Sequence, residues 1–277
     1  MLVIKTITEL RKWRNSIKGT VGFIPTMGYL HEGHVSLVNL ARKDNEHVVV
    51  SIFVNPKQFG PGEDYKKYPS DEKHDLELLE KFHVSVAFLP DVEEIYPPDF
   101  ESKISVTKMS IILEGEKRPG HFDGVATVVA KLFNIIQPNR AYFGQKDAQQ
   151  VAVIKKMVSD LQFPIAIKVG ETIRQKDGLA LSSRNTFLNE KDKKESTVIY
   201  QSLLLAQNLV NKGVRNSREI MTAMRQLIEK TSGKIDYISI ADSQKLNEIE
   251  NIHGDTLVSL AVYFDKTRLI DNCILKI

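Results

Sequence analysis

A chain of 277 residues with a formal charge of +3 is long enough for two domains and too weakly charged for nucleic-acid or membrane-surface binding by electrostatics alone. Its 42% hydrophobic and 26% charged residues are those of a globular protein. Cys273 is the only cysteine, which excludes an intrachain disulfide and a cysteine-based zinc cage and suits a reducing compartment.

The opening "MLVIKTITELRKWRNS" carries charge at Lys5, Glu9 and Arg11 and lacks the apolar core of a signal peptide. The most apolar helical stretch, Gly124 to Ile136, is interrupted by Lys131 and is too short to span a bilayer. The expectation is a cytoplasmic protein. In chain order, "TVGFIP", "HVVVSIFV", "VSVAFLP", "RAYFG" and "IAIKV" have the composition of buried strands. Between them, His34 to Lys43, Asp71 to Phe82, Asp123 to Ile136 and Asp147 to Leu161 have helical spacing. This alternation predicts an α/β fold of the doubly wound, mostly parallel kind, whose ligands bind beyond the carboxyl ends of the strands.

The grain changes near Asn185. Glu190 to Lys212 and Ser217 to Lys230 have the spacing of two amphipathic helices, with "EKDKKE" as a solvated face. Three strand-like runs follow, "KIDYISIAD", "DTLVSLAVYF" and "TRLIDNCILKI", the last two joined at Asp265-Lys266 as in a hairpin. The predicted domains are residues 1–184 and a smaller α+β domain at 185–277.

Three segments have the makings of an anion grip. In "FIPTMGYLHEGHVSLV", a strand stops at Pro25, Gly28 permits a turn, and a helix begins near His34. A helix amino end offers unpaired N–H groups and a positive dipole. His31 and His34 could donate to phosphate oxygens, and Gly33 would let a ligand approach the backbone. Zinc is a weaker reading, because these histidines are spaced i, i+3 rather than the i, i+4 of a metalloprotease helix. Taken alone, the motif is equally a pair of histidines satisfied by local capping. "AYFGQKDAQQ" again runs from strand to turn at Gly144 to helix, with Lys146 in the turn and Asp147 as the expected cap. An exposed loop lysine is the plainer alternative there. "DGLALSSRNTFL" adds the hydroxyls of Ser182 and Ser183 and the planar fork of Arg184. Together the three point to a nucleotide polyphosphate, ATP.

At this point "PTMGYLHEGHVSLV" resembles the signature of the pantothenate synthetase family, ATP-dependent ligases that join pantoate to β-alanine. The resemblance continues, in family order, through "SIFVNPKQFGPGEDYKKYP", "LEGEKRPGHFDGVATVVAKLFNIIQP", "YFGQKDAQQ" and "DGLALSSRN". It implies a Rossmann-like nucleotidyltransferase domain of the HxGH type with a small lid domain, and a homodimer. It also implies ATP binding by Met27, Gly28, Tyr29, Leu30, His31, Glu32, Gly33 and His34, and by Gly144, Gln145, Lys146 and Asp147. Ile173 would lie near the adenine, and Leu181, Ser182, Ser183 and Arg184 match the phosphate-closing loop. Gln58 matches a glutamine touching pantoate and β-alanine, Gln150 a second pantoate ligand, and His34 the proton donor. Tyr29 and Ala148 depart from the family pattern beside motif residues, which bears on pocket shape.

The resemblance implies a pantoyl adenylate intermediate, with release of pyrophosphate and then AMP. His31, His34, Lys146 and Arg184 are the expected catalytic groups, and magnesium is expected chiefly on the ATP phosphates. Asp75 falls where some members place a magnesium ligand, but beside His74 it is given no metal role. Met27, Phe53 and Phe59 could pack on the dimethyl carbon of pantoate. "RPGHFDGV" either lines the acid pocket through His121 or is a glycine turn into a helix. The rival readings are a plain nucleotidylyltransferase and an ATP-binding sensor without catalysis.

Overall fold

The computed structural model describes the chain except for Gly62, Asp64 and Ile277. Two positions of "SIFVNPKQFGPGEDYKKYP" and the last residue of "TRLIDNCILKI" therefore lie outside the described residues. Two compact units divide the chain: Met1–Gly144 with Gln149–Glu171, and Gln145–Ala148 with Thr172–Ile277.

The first unit opens with β1 (Leu2–Ile4) and α1 (Ile7–Ser16), two elements beyond those anticipated from the sequence. It continues with β2 (Val21–Thr26), α2 (Glu32–Asp44), β3 (His47–Ile52), α3 (Glu72–Lys81), β4 (Val86–Phe88) and the single turn α4 (Val92–Ile95). The short α5 (Glu114–Lys117) and the long α6 (His121–Ile136) lead to β5 (Arg140–Gly144), α7 (Ala148–Asp160) and β6 (Ala166–Gly170). The strands form a parallel sheet in the order β1-β4-β3-β2-β5-β6.

Alternate residues of the strands feed two cores, as a period of two requires. Phe23, Val49, Val86 and Phe88 pack with Leu10 of α1 and with the apolar faces of α6 and α7. Ile24, Val48, Val50 and Ala87 pack with Leu37, Val38 and Ala41 of α2 and Leu79 of α3. The sheet is thus doubly wound, as expected. Two predicted strands are more modest than their sequences suggest. "VSVAFLP" pairs only over Val86–Phe88, and "IAIKV" is an edge strand with Ala166 and Lys168 exposed.

Strand order reverses at β2, whose neighbours are β3 and β5. Pairing with β3 runs from Val21↔His47 to Thr26↔Ile52, whereas pairing with β5 is Gly22↔Arg140 and Phe23↔Ala141, at the amino ends. Ligands of open α/β sheets bind at such a reversal, past the carboxyl ends of the strands. Thr26 and Gly144 are those ends, and the two leading candidate motifs begin immediately after them.

In the second unit, Arg174 bridges Ala180 in a short turnback, and a 3-10 stretch, Ser183–Phe187, follows. Next come α8 (Glu190–Glu195), α9 (Val198–Asn211), α10 (Ser217–Ile228) and the antiparallel β7 (Lys234–Asp242), β8 (Thr256–Phe264) and β9 (Thr267–Leu275). Helices α9 and α10 cover one face of this sheet through Ile199, Leu203, Ile220 and Met224 against Val258, Leu260 and Val262.

Two expectations need correction. Glu190 to Lys212 is not one helix. Ser196 and Thr197 turn their hydroxyls back to the carbonyls of Lys193 and Lys194, both at 2.8 Å, and the helix breaks there. Nor does the boundary fall at Arg184. It follows Glu171, because the 172–181 turnback is tied to β9 by Arg174 and Asp271, at 2.5 and 3.1 Å.

Candidate active site

The turn after β2 is held by a buried carboxylate from α3. Both oxygens of Asp75 accept backbone N–H groups, from Tyr29 at 2.8 Å and Leu30 at 2.6 Å. Burial pushes Asp75 above the usual carboxylate range, against the pull of those two donors. Tyr29 sits at φ 52°, a left-handed conformation that a tyrosine keeps only when its surroundings enforce it. The Asp75 clamp supplies that enforcement. Upstream, Thr26 donates to the Ser51 carbonyl at 2.7 Å and accepts from Gly28 N–H at 3.2 Å.

Helix α2 starts at Glu32, earlier than the spacing predicts, because His31 is its cap. His31 Nδ1 accepts from Gly33 N–H at 3.1 Å, and His34 Nδ1 accepts from His31 N–H at 3.2 Å. The two rings lie 4.2 Å apart, centroid to centroid. A ring nitrogen that accepts a backbone N–H carries no proton, so in each neutral imidazole the proton is on Nε2. Capping and donation to an anion are therefore compatible roles for the same side chain. Gly33 has a reason different from ligand access: a Cβ there would stand 2.9 Å from the His31 ring.

Gln58 is also built in from several sides. Its Nε2 donates to Met27 Sδ at 3.0 Å, and its Oε1 accepts from Asn55 Nδ2 at 3.0 Å. Buried Asn55 also donates to the Gly124 carbonyl at 3.1 Å and accepts the Tyr96 hydroxyl at 2.9 Å. Burial raises the Tyr96 hydroxyl well above its ordinary range. The Gln58 carbonyl accepts from His121 Nδ1 at 2.7 Å, and His121 Nε2 lies 3.1 Å from the Arg118 guanidinium. Burial, then the Arg118 charge, pushes His121 down to about 4, so the ring is neutral at pH 7. Arg118 in turn holds Glu63 through paired contacts of 2.8 and 2.7 Å. Burial would raise Glu63, but the Arg118 hydrogen bond and charge keep it below the usual range. Phe53 is buried against Tyr96, and Phe59 stacks near Tyr65. At the start of α7, Gln150 is half-buried. Its neighbour Gln149 is buried and fastens the Met109–Glu114 stretch through three backbone contacts.

The remaining candidates belong to the second unit. Gln145, Lys146 and Asp147 form a 3-10 turn that runs straight into α7, so Asp147 is part of the turn and not a cap before the helix. Its carboxylate lies 3.6 Å from Lys146 Nζ. Leu181 N–H donates to the Ile173 carbonyl at 2.9 Å, and Ser182 caps the 3-10 stretch of Ser183 and Arg184 by accepting Arg184 N–H at 3.3 Å. Lys146, Ser182 and Arg184 line one hollow, joined by Arg268 and Asp271 of β9. Two of the three segments singled out in the sequence are thus brought together within this unit. Among the described residues, no group of three His, Cys, Asp or Glu is arranged to hold a metal ion, and none of the helices is long and apolar enough to cross a membrane.

Asn55 and Asn272 do not stand out in the sequence, because each acts through partners far along the chain. Asp75 and the "RPGH" cluster are noticed there, but not the backbone clamp of the one or the Glu63 pairing of Arg118 in the other.

The sequence matches the family model described as Pantoate-beta-alanine ligase over residues 2–274. It is 51% identical over 277 residues to the pantothenate synthetase of Roseiflexus sp. (strain RS-1), with 100% of both chains covered. The fold matches the crystal structure of pantothenate synthetase from Thermus thermophilus with a TM-score of 0.94 and 43% identity, covering 99% of each chain. It matches a Francisella tularensis pantoate-beta-alanine ligase, complexed with beta-gamma ATP and beta-alanine, with a TM-score of 0.83 and 38% identity over 99% of this chain and 97% of that one. A chain that carries a Rossmann-like sheet with this motif order, and that aligns end to end with such relatives, belongs to the pantoate–β-alanine ligase family and joins pantoate to β-alanine in an ATP-dependent reaction that forms pantothenate.

Proposed function

We propose that the ligation runs through a pantoyl adenylate. A carboxylate oxygen of pantoate attacks the α-phosphorus of ATP and expels pyrophosphate. The β-alanine amine then attacks the acyl carbon of the mixed anhydride and expels AMP. The first step asks the protein for alignment and for positive charge at the equatorial and leaving oxygens. His31 and His34 answer that need through Nε2–H donors at the amino end of α2. Lys146, Ser182, Ser183 and Arg184 supply an ammonium, two hydroxyls and a planar fork. The observation that carries the reading is the gathering of Lys146, Ser182 and Arg184 around one hollow from separate stretches of chain.

Met27 to His34, Gly144 to Asp147, Ile173 and Leu181 to Arg184 form the ATP-binding set in this reading. Gln58 and Gln150 hold pantoate, and Gln58 also touches β-alanine. Neutral amides orient a carboxylate without draining the charge it needs for attack. The carboxylate nearest the β2 turn, Asp75, already accepts two backbone N–H groups, so the protein's own donors make a poor magnesium cradle. Magnesium would accordingly be held chiefly by the ATP phosphates, where it would offset their charge. The working assembly is a cytoplasmic homodimer with small molecules as its other partners, and neither nucleic acid nor membrane is a partner.

Exchange of labelled pyrophosphate into ATP, without β-alanine, tests the route. Exchange should require pantoate, and oxygen-18 from its carboxylate should appear in AMP once β-alanine is added. Exchange that ignores pantoate would favour a plain nucleotidylyltransferase. Replacing His34 with alanine should slow adenylate formation about a hundredfold, the range for a positioned proton-donating group. An unchanged single-turnover rate would remove His34 from that role.

A further inference from the structure

The turn that carries Lys146 is fastened by one side chain of the carboxyl-terminal strand. Asn272 is 4% exposed and faces the turn from β9. Its Nδ2 donates to the carbonyls of Gln145 at 3.0 Å and Lys146 at 2.8 Å, and its Oδ1 accepts from Gln145 Nε2 at 3.0 Å. Both amide hydrogens are thereby committed to the backbone of the turn. The preceding residue, Asp271, is 3% exposed and anchors the other side. One of its oxygens accepts Asn272 N–H at 2.8 Å, and the pair takes the Arg174 guanidinium at 2.5 and 3.1 Å. Arg174 also lies 4.2 Å over the Tyr200 ring and donates to the Gly178 carbonyl at 3.2 Å. Two adjacent residues of one strand therefore fix both the lysine turn and the turnback that leads to Ser182 and Arg184.

We propose that Asn272 is a positioning residue for Lys146, setting through the Gln145 and Lys146 carbonyls where the ammonium stands in the hollow it shares with Ser182 and Arg184. The proposal rests on the catalytic reading of Lys146 given above. A buried amide that satisfies two adjacent carbonyls cannot be removed without leaving them unpaired, and the turn must then shift to find other donors. A displacement of about 1 Å at a group that stabilises a transition state can cost about a hundredfold in rate. A role confined to folding would instead weaken the whole unit and slow every step alike.

A double-mutant cycle on single-turnover adenylate formation separates these cases. Lys146→Ala is measured first; a rate like that of the parent would overturn the reading of Lys146 itself, and the role of Asn272 with it. With Lys146→Ala slow, Asn272→Ala should slow the otherwise unaltered enzyme about 10- to 100-fold, and should change the Lys146→Ala rate by less than about twofold. The KM for pantoate should stay within about twofold in Asn272→Ala. Equal slowing in both backgrounds, or no slowing in either, overturns the proposal while leaving the reading of Lys146 standing. Should Asn272→Ala not fold, Asn272→Leu, which keeps the side-chain bulk and neither donor to the turn, runs the same cycle with the same criteria.

Discussion

His31 and His34 show how a backbone contact can set a side chain's tautomer. Each ring gives Nδ1 to a helix-start N–H and so carries its neutral-state proton on Nε2. His121 takes the opposite tautomer: Nδ1–H donates to the Gln58 carbonyl, and Nε2 faces Arg118. This buried ring has a consequence for stability. Its folded pKa is pushed down to about 4, from 6.5 when exposed, so below pH 6.5 the unfolded chain binds a proton that the folded one refuses. The stability it contributes is present above pH 6.5 and is lost as pH falls toward 4, up to about 3 kcal/mol at the value of about 1.4 kcal/mol per pH unit. Urea midpoints taken between pH 4.5 and 7 should slope upward with pH, and His121→Gln should flatten that slope. A slope unchanged by the substitution would assign it to other groups. The histidine pair, Lys146 and Arg184 are visible in the sequence because their residue types and spacing advertise charge. Asn55 and Asn272 are not, since an asparagine announces nothing until its partners, tens of residues away, are known.

At the scale of elements, the amino end of α6 meets the turn that carries Gln58. It presses on the short Pro56–Gln58 turn so closely that a Cβ on Gly124 would stand 2.1 Å from the Lys57 carbonyl oxygen. The same glycine's carbonyl takes the Asn55 amide that orients Gln58. Gly124→Ala should therefore push the turn outward and raise the KM for pantoate about tenfold, with a smaller effect on the KM for ATP. Steady-state kinetics with each substrate varied in turn would show this, and an equal rise for both would refute it. Helix α6 also explains the one charge in an otherwise apolar stretch: Lys131 extends its ammonium to 4.3 Å above the Phe100 ring, and burial lowers its pKa. Element types are legible because apolar spacing follows the strand and helix periods. The break between α8 and α9 is not, because serine and threonine hydroxyls compete for helix carbonyls only in a particular local geometry.

Across the whole molecule, each unit has its own apolar core. At a hundred times its dissociation constant, ATP should stabilise the fold by about 2.7 kcal/mol and raise the melting temperature by about 5 °C. If residues of both units grip the same phosphates, His34→Ala and Arg184→Ala should each shrink that rise, as read by differential scanning fluorimetry. A rise lost in one variant and intact in the other would assign the nucleotide to one unit alone. The sequence by itself determined the strand and helix periods, the parallel class of the large sheet and the motif order, because these are local properties of spacing and residue type. Tertiary structure alone decided that the lysine turn groups with the second unit, that Asp75 clamps the β2 turn, and that His121 serves Gln58. Those outcomes depend on which buried donors and acceptors find one another across long stretches of chain, and desolvation makes each such pairing obligatory only after the chain has folded.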